Sequence, residues 1–304
     1  MATFVLLTIT GLGLGAMYFL IASGLSLIYG LMGVLNFAHG AFLTIGAYST
    51  WYLSEQLDGQ ITGVAPRLLV SAILGLAIGG TVAALVELVL IRPLYERHIE
   101  QVLVTVGLSL ALVALLQAIW GPTERPFPVP EALADTTTIL GARIPNDRFL
   151  EIGIAVALLL GLMAFLRFTR YGLIIRAGVE NRAMVTALGI DVRKAFTLVF
   201  ALGGIAAALA GVLSGIYFGG SIDPERGTAL LIFAFIVVVI GGLGSILGSA
   251  VAAVIVGLLQ QYANYYGATH LDTSWLGDIS VMLLLALTLL VRPSGLAGKW
   301  TVAH

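Results

Sequence analysis

Apolar and polar positions follow one another in long blocks along this chain rather than residue by residue. Nine apolar runs occupy 4–29, 34–53, 68–91, 102–120, 149–166, 195–218, 229–241, 247–263 and 276–291, with short polar pieces between them. At about 1.5 Å rise per residue, a helical run of about twenty residues crosses hydrocarbon about 30 Å thick. The pattern therefore predicts an all-α, polytopic transmembrane helical bundle of about 8–9 membrane helices with glycine-broken segments, built as one transmembrane domain over 1–304. A membrane β-barrel would alternate apolar and polar positions over segments of about ten residues, and no such alternation is present.

Two places interrupt the runs. The run 229–241 is too short to span, and Gly241-Gly242-Leu243-Gly244-Ser245 follows it. Short glycine-interrupted segments mark discontinuous helices that line a translocation path, because irregular backbone needs protein or water to satisfy it. A tight cytoplasmic turn between two short helices reads equally well. The earlier break is GLMGVLNFAHGAFLTIGAY at 30–48, where Asn36 and His39 stand among apolar residues and glycines, Gly40 included. Polar groups at membrane depth face a bundle interior or a water-filled cavity. On a helix, Asn36 and His39 would share a face. They either line the path or satisfy backbone groups freed by the kink. A lone histidine without a carboxylate partner is weak evidence for a proton relay.

Composition agrees with the pattern: 59% of residues are hydrophobic and 10% charged, against about 25% charged in soluble domains. There is no cysteine, which excludes disulfides and thiolate chemistry. The first run begins at Phe4 with no basic residue before it, so it reads as a retained helix rather than a secretory signal.

Charge then orients the runs. The connectors 92–101 and 167–194 and the C-terminal tail hold ten of the fifteen Lys and Arg residues. The alternate connectors, 54–67, 121–148, 219–228 and 264–275, are rich in Asp and Glu. Basic segments stay on the cytoplasmic side, so nine crossings put the N-terminus outside and the C-terminus inside. The external connector 121–148 is stiffened by Pro122, Pro126, Pro128 and Pro130, and suits either docking of a soluble partner or simple spanning.

The most charged connector also carries an apolar pattern. Arg167, Arg170, Arg176, Arg182, Arg193 and Lys194 fall within 167–194. Inside it, Glu180 and Asn181 are placed to cap a short helix whose Ala183, Met184, Ala187 and Leu188 recur at i, i+3, i+4 spacing. Gly189 stands where such a helix ends in the left-handed conformation. A two-turn helix cannot cross a bilayer, but it can present a small apolar face to a protein beneath one. An ordinary basic cytoplasmic loop is the plainer reading.

Glu87, five residues before Arg92, is the one carboxylate that this reading finds inside an apolar run, and a structural ion pair with Arg92 near the cytoplasmic interface accounts for it. Pro93 ends that helix. Gln117, Gln260 and Asn264 sit at run ends, where snorkelling explains them. Small residues at 73–85 and 202–215 permit close helix packing. No P-loop, HExxH, GxSxG or metal-ligand cluster is present, so ATP hydrolysis, if it energises transport, belongs to another chain.

Two stretches carry a family resemblance. GLSLIYGLMGVLNFAHGAFLTIGAY at 24–48 and RAGVENRAMVTALGIDVRKAFTLVFALGGIAAALAGVLSG at 176–215 resemble the smaller permease type of branched-chain amino acid ABC importers. IRPLY at 91–95 and VVVIGGLGSILGSAVAA at 237–253 match in kind and order, and Asn-Phe-Ala-His-Gly at 36–40 is the most specific piece. The resemblance implies an inner-membrane, multi-pass transport subunit that is not itself an enzyme. It would pair with a second related permease, two ABC ATPase subunits and a periplasmic or extracellular substrate-binding protein, with no nucleic-acid partner. It implies no cofactor in this chain, ATP and Mg being bound by the ATPase subunits. Glu180 to Gly189 becomes the ATPase-coupling helix. Asn36, His39, Gly40, Gly241, Gly242, Gly244 and Ser245 become translocation-path candidates. Urea and short-amide permeases look similar, and an ion-coupled secondary transporter is the alternative of a different class.

Overall fold

The computed structural model describes residues 1–180, 182–187, 189, 191–273 and 275–298. The elements run α1 (Ala2–Met32), α2 (His39–Gln56), α3 (Val64–Val86), a π-turn (Glu87–Ile91), a 3-10 turn (Arg92–Leu94) and α4 (His98–Trp120). Then come β1 (Arg125–Pro126), α5 (Glu131–Ala134), β2 (Thr136–Ile139), β3 (Ala142–Pro145), α6 (Asp147–Phe168), α7 (Arg170–Glu180) and α8 (Arg182–Ala187). The chain closes with α9 (Val192–Tyr217), β4 (Ser221–Ile222), α10 (Arg226–Gly241), α11 (Ile246–His270) and α12 (Leu276–Val291).

Each of the nine apolar runs overlaps a helix, although 34–38 of the second run lies in the break before α2. Among the described residues, six helices are long and apolar enough to cross a membrane: Ala2–Met32, Val64–Leu94, His98–Trp120, Asp147–Phe168, Val192–Tyr217 and Ile246–His270. α10 and α12, at 16 residues each, rise only about 24 Å and are shorter apolar helices.

α1 and α9 form the centre of the bundle. α1 is buried almost all round from Gly13 to Ile28 and packs against α6, α9, α10 and α11. α9 packs against α1, α2 and α3. Small residues make these approaches possible. A Cβ on Gly79 would lie 2.6 Å from the Ala208 side chain, and one on Gly80 would lie 2.6 Å from Ile205. The stripes at 73–85 and 202–215 thus pack on each other, as close backbone approach predicts. The outward faces of α3, α4, α6 and α12 expose Leu69, Leu103, Leu110, Leu160, Leu283 and Leu290, which suits a lipid solvent.

Several expectations need correction. The segment 167–180 is not a plain connector, because α6 continues to Phe168 and α7 fills Arg170–Glu180. Its Gly172, Ile175 and Gly178 are buried at i, i+3, i+6, a helical period hidden among arginines. The connector 121–148 is not merely proline-stiffened: it contains the β2–β3 hairpin, and its β1 pairs antiparallel with β4, Arg125 opposite Ile222. Phe127 N–H donates to the Gly220 carbonyl at 2.7 Å, so the connectors at this end of the bundle lock together. Gln260 does not snorkel. It is buried, accepts from the Tyr18 hydroxyl at 2.7 Å and donates to Asp278 at 2.8 Å. Asn264 Oδ1 accepts from Gly277 N–H at 2.8 Å.

Candidate functional site

The break after α1 is built by a glycine and an asparagine. Gly33 adopts φ +66°, and its N–H donates to the Tyr29 carbonyl at 2.8 Å, ending α1 in the left-handed conformation. Asn36 then folds back on the chain. Its Oδ1 accepts from Ala38 N–H at 3.1 Å and its carbonyl accepts from His39 N–H at 3.2 Å, which starts α2. Satisfying the freed backbone is therefore one role of Asn36. Its Nδ2 has no partner, although the residue is only 1% exposed. A buried amide donor left alone costs ~1–3 kcal/mol. Asn36 also borders an apolar cavity of about 120 Å³ formed by Leu25, Leu35, Phe37, Leu231, Ile232 and Phe235.

Asn36 and His39 do not share a helix face as the spacing suggested, because Asn36 lies in the break and His39 is the first residue of α2. The imidazole is fully buried, with Nε2 donating to the Ile21 carbonyl at 3.1 Å. It fits there because residue 24 is glycine: a Cβ would lie 2.8 Å from the ring. His39 therefore pins the start of α2 beside the middle of α1.

Gly40 is where α2 meets α10. A side chain at Gly40 would collide with the Gly227 carbonyl, and one at Gly227 with the Gly40 carbonyl and the Thr44 hydroxyl. The first turns of two short helices thus touch inside the bundle, an arrangement that the distance along the chain conceals.

Gly241, Gly242, Gly244 and Ser245 form the turn between α10 and α11. Gly242 and Gly244 have φ +102° and +81°, and Ser245 Oγ caps α11 by accepting from Gly248 N–H at 3.0 Å. The C-terminal segment covers this turn: Leu296 N–H donates to Ile240 O at 2.8 Å and Ala297 N–H to Gly241 O at 3.0 Å. On the other side, a Cβ on Gly244 would sit 2.6 Å from Gly30. The break is a tight helical hairpin, and Gly244 and Ser245 also border an open cavity of about 680 Å³.

In the basic segment, α8 spans Arg182–Ala187, and Gly189 is left-handed at φ +76°. Met184, 62% exposed, and Ala187 turn away from the bundle, while Val185 is buried in it. Glu180 ends α7 instead of capping α8. The candidates Asn181 and Leu188 lie outside the described residues, as do the side chains of Glu180 and Ala183.

Two buried charge clusters complete the picture. Glu87, fully buried in the π-turn, accepts from Arg92 at 3.3 Å, from Thr197 Oγ1 at 2.7 Å and from the Tyr95 hydroxyl. Arg92 also donates to Thr197 Oγ1 at 2.7 Å. The Glu87–Arg92 pair expected from sequence is present. Sequence reasoning missed Tyr95 and Thr197, and Thr197, on α9, is invisible to local spacing. Burial, followed by the bond to Glu87, pushes the Tyr95 phenol up from its ordinary value. Glu87 is not the sole intramembrane carboxylate: Glu151, in the first turns of α6, is buried 3.5 Å from Arg148 Nη1. Arg148 also pairs with Asp147 at 3.2 Å and lies 3.4 Å from the centre of the Tyr217 ring. That carboxylate was legible inside the run 149–166. Among the described residues, no group of three or more His, Asp or Glu side chains could hold a metal ion.

The family described as branched-chain amino acid transport system / permease component matches residues 7–292. A high-affinity branched-chain amino acid transport system permease protein of Escherichia coli K12 is 29% identical over 297 residues, covering 95% of this chain and 94% of its own. The corresponding protein of Pseudomonas aeruginosa is 28% identical over 297 residues, covering 96% and 94%. A probable branched-chain amino acid transport permease of Methanocaldococcus jannaschii is 28% identical over 292 residues, covering 92% and 88%. No solved structure matches the chain at a significant level.

Proposed function

The chain belongs to the branched-chain amino acid transport system permease family, and on that premise we propose that it is the membrane-spanning permease subunit of an ATP-driven importer of leucine, isoleucine and valine. The observation that carries this reading is the family match across 7–292, which spans the whole helical bundle. The chain is a transport subunit, and ATP and Mg are bound and turned over by two partner ATPase subunits. A second related permease completes the membrane core, and a binding protein delivers substrate from outside. The protein sits in the inner membrane with its N-terminus outside and its C-terminus cytoplasmic, an orientation supported by the basic and acidic connectors.

The coupling contact in this reading is α8 with its flanks, Glu180 to Gly189, set against an ATPase subunit. The exposure of Met184 and Ala187 supports it. α9 begins three residues after Gly189, and Thr197 in its second turn is bonded to Glu87. Movement of α8 is therefore delivered to the cytoplasmic end of α3. The break at Asn36, His39 and Gly40 and the turn at Gly241 to Ser245 lie on the alternating-access path. An ion-coupled carrier needs a carboxylate free to exchange its ion at membrane depth. Glu87 and Glu151 are each held by an arginine close to a helix end.

The test is uptake of labelled leucine, with labelled urea in parallel, in cells with and without this chain, the proton gradient collapsed and ATP maintained. Chain-dependent leucine uptake that survives collapse is expected. Urea uptake under those conditions would transfer the substrate assignment to urea and short amides. Loss of all chain-dependent uptake would replace the ATP-driven reading with an ion-coupled one.

A further inference from the structure

The open cavity beside the α10–α11 turn has a chemistry that transport of an amino acid does not use. Its wall is apolar, from Leu160, Met163 and Phe168 of α6 and Leu247 of α11, and its polar lining consists of Arg167, Arg176 and Ser245. None of its lining residues is acidic. Neither arginine takes part in an ion pair among the described residues; Arg167 only leans over the Phe168 ring at 5.5 Å. Leu160, Phe168 and Leu247 are themselves more than half exposed, so the apolar wall is continuous with the outward face of α6.

Position sharpens this chemistry. The apolar span of α6 ends at Phe168, and Arg167 stands at that boundary. α7 follows, with Arg176 facing the same cavity. α11 starts at Ile246 on the opposite wall, so the positive end of a 25-residue helix adds to the same field. Two guanidinium groups with no ion-pair partner among the described residues, above an apolar wall at the edge of the hydrocarbon, complement a phosphate group tethered to acyl chains. Guanidinium groups bind phosphate through paired N–H donors. A basic pocket between membrane helices is the usual form of a lipid headgroup site.

We propose that this cavity binds an anionic phospholipid: Arg167 and Arg176 hold its phosphate, the Ser245 hydroxyl borders the headgroup, and the acyl chains lie along Leu160, Met163 and Leu247. A zwitterionic lipid fits the apolar wall but brings no net negative charge to offset the two arginines. The volume, about 680 Å³, admits a headgroup and the first part of its chains, not a whole lipid. The bound lipid would brace α7, which packs on α8, against the α10–α11 turn, which the C-terminal segment covers.

The experiment is native mass spectrometry of the full chain released from detergent micelles doped with phosphatidylglycerol or, separately, phosphatidylethanolamine. Wild-type protein is expected to retain phosphatidylglycerol in preference to phosphatidylethanolamine. Arg167→Ala combined with Arg176→Ala should reduce that retention about tenfold, the scale of a lost charge-assisted contact. Arg143→Ala, an arginine in the β2–β3 hairpin, should leave retention unchanged and so controls for loss of an arginine away from the cavity. Millimolar inorganic phosphate should not displace the lipid if the acyl wall contributes, and displacement would mean a free-anion site instead. Equal retention of both lipids would overturn the proposal and leave an ordinary lipid-facing groove. Unchanged phosphatidylglycerol retention in the double variant, with loss of co-purified ATPase subunits, would also overturn it and make the cavity a protein-docking surface. Because the readout is lipid mass, failure here leaves the importer assignment standing.

Discussion

Glu87 offers the sharpest test of how the central helices are tied together. Its carboxylate is fully buried and receives donors from Arg92 and Tyr95 in the turn that follows it and from Thr197 on α9. Removing one partner of a buried ion pair costs ~3–5 kcal/mol, because the other charge is left behind. Arg92 is about one-third exposed at its side chain, so Glu87→Ala should fall at the lower end of that range, ~3 kcal/mol. Thr197→Val removes the hydroxyl that donates to Glu87 and accepts from Arg92, a loss of ~1.5–3 kcal/mol. In the Glu87→Ala background the bond to Glu87 no longer exists but the one from Arg92 to Thr197 Oγ1 remains, so Thr197→Val should then cost less without becoming neutral. The double-mutant cycle should yield a coupling energy of ~1–2 kcal/mol, within the range for residues in one network. The assay is reversible unfolding of the detergent-solubilised chain by titration with a denaturing surfactant, read by loss of tryptophan fluorescence or helicity. Additivity of the two single changes to within ~0.5 kcal/mol would refute the shared network. A Glu87→Ala variant as stable as the parent would refute the buried pair itself.

Other outcomes follow from the same geometry. Gly227→Val should prevent accumulation of folded protein, because its side chain would displace the first turn of α2 at Gly40, while Gly107→Ala should accumulate normally and gain ~0.5–1 kcal/mol, since a Cβ there meets nothing within 4 Å; membrane yield and thermal stability compare the two. Gly242→Leu places a side chain at φ +102° against Gly298, adding ~1–2 kcal/mol of backbone strain and releasing the C-terminal cover, so limited proteolysis near 292–298 should accelerate. Ser245→Ala removes the α11 cap and should cost ~0.5–2 kcal/mol in the same unfolding assay. Met184→Asp should abolish co-purification of the ATPase subunits without removing the chain from the membrane, because Met184 faces away from the bundle; retained co-purification would count against the coupling contact.

The sequence by itself determined what local periodicity and side-chain chemistry can fix. Every apolar run is helical over most of its length, because unbroken apolar stretches in lipid must satisfy their backbone internally. Gly33 and Gly189 end helices in the left-handed conformation that glycine adopts without a Cβ penalty. Glu87 and Arg92 found each other because five residues of helix and turn keep them close. Even the small-residue stripes of α3 and α9 announced close packing, though not that each is the other's partner. Tertiary structure alone decided which distant positions coincide. The arginines of 167–180 masked the buried stripe Gly172, Ile175 and Gly178, whose burial depends on the packing of α7 against α1, α6 and α9. Asn36 lost its helical face because Gly33 unwinds the chain before it, and His39 gained its acceptor on Ile21 only when Gly24 left room for the ring. Gln260 looked like a residue at the end of a span. It is buried because Tyr18 and Asp278, far away in sequence, bring a donor and an acceptor to its amide. Helical period sets which face of a helix is apolar, but only the packed bundle sets which polar atoms meet across it.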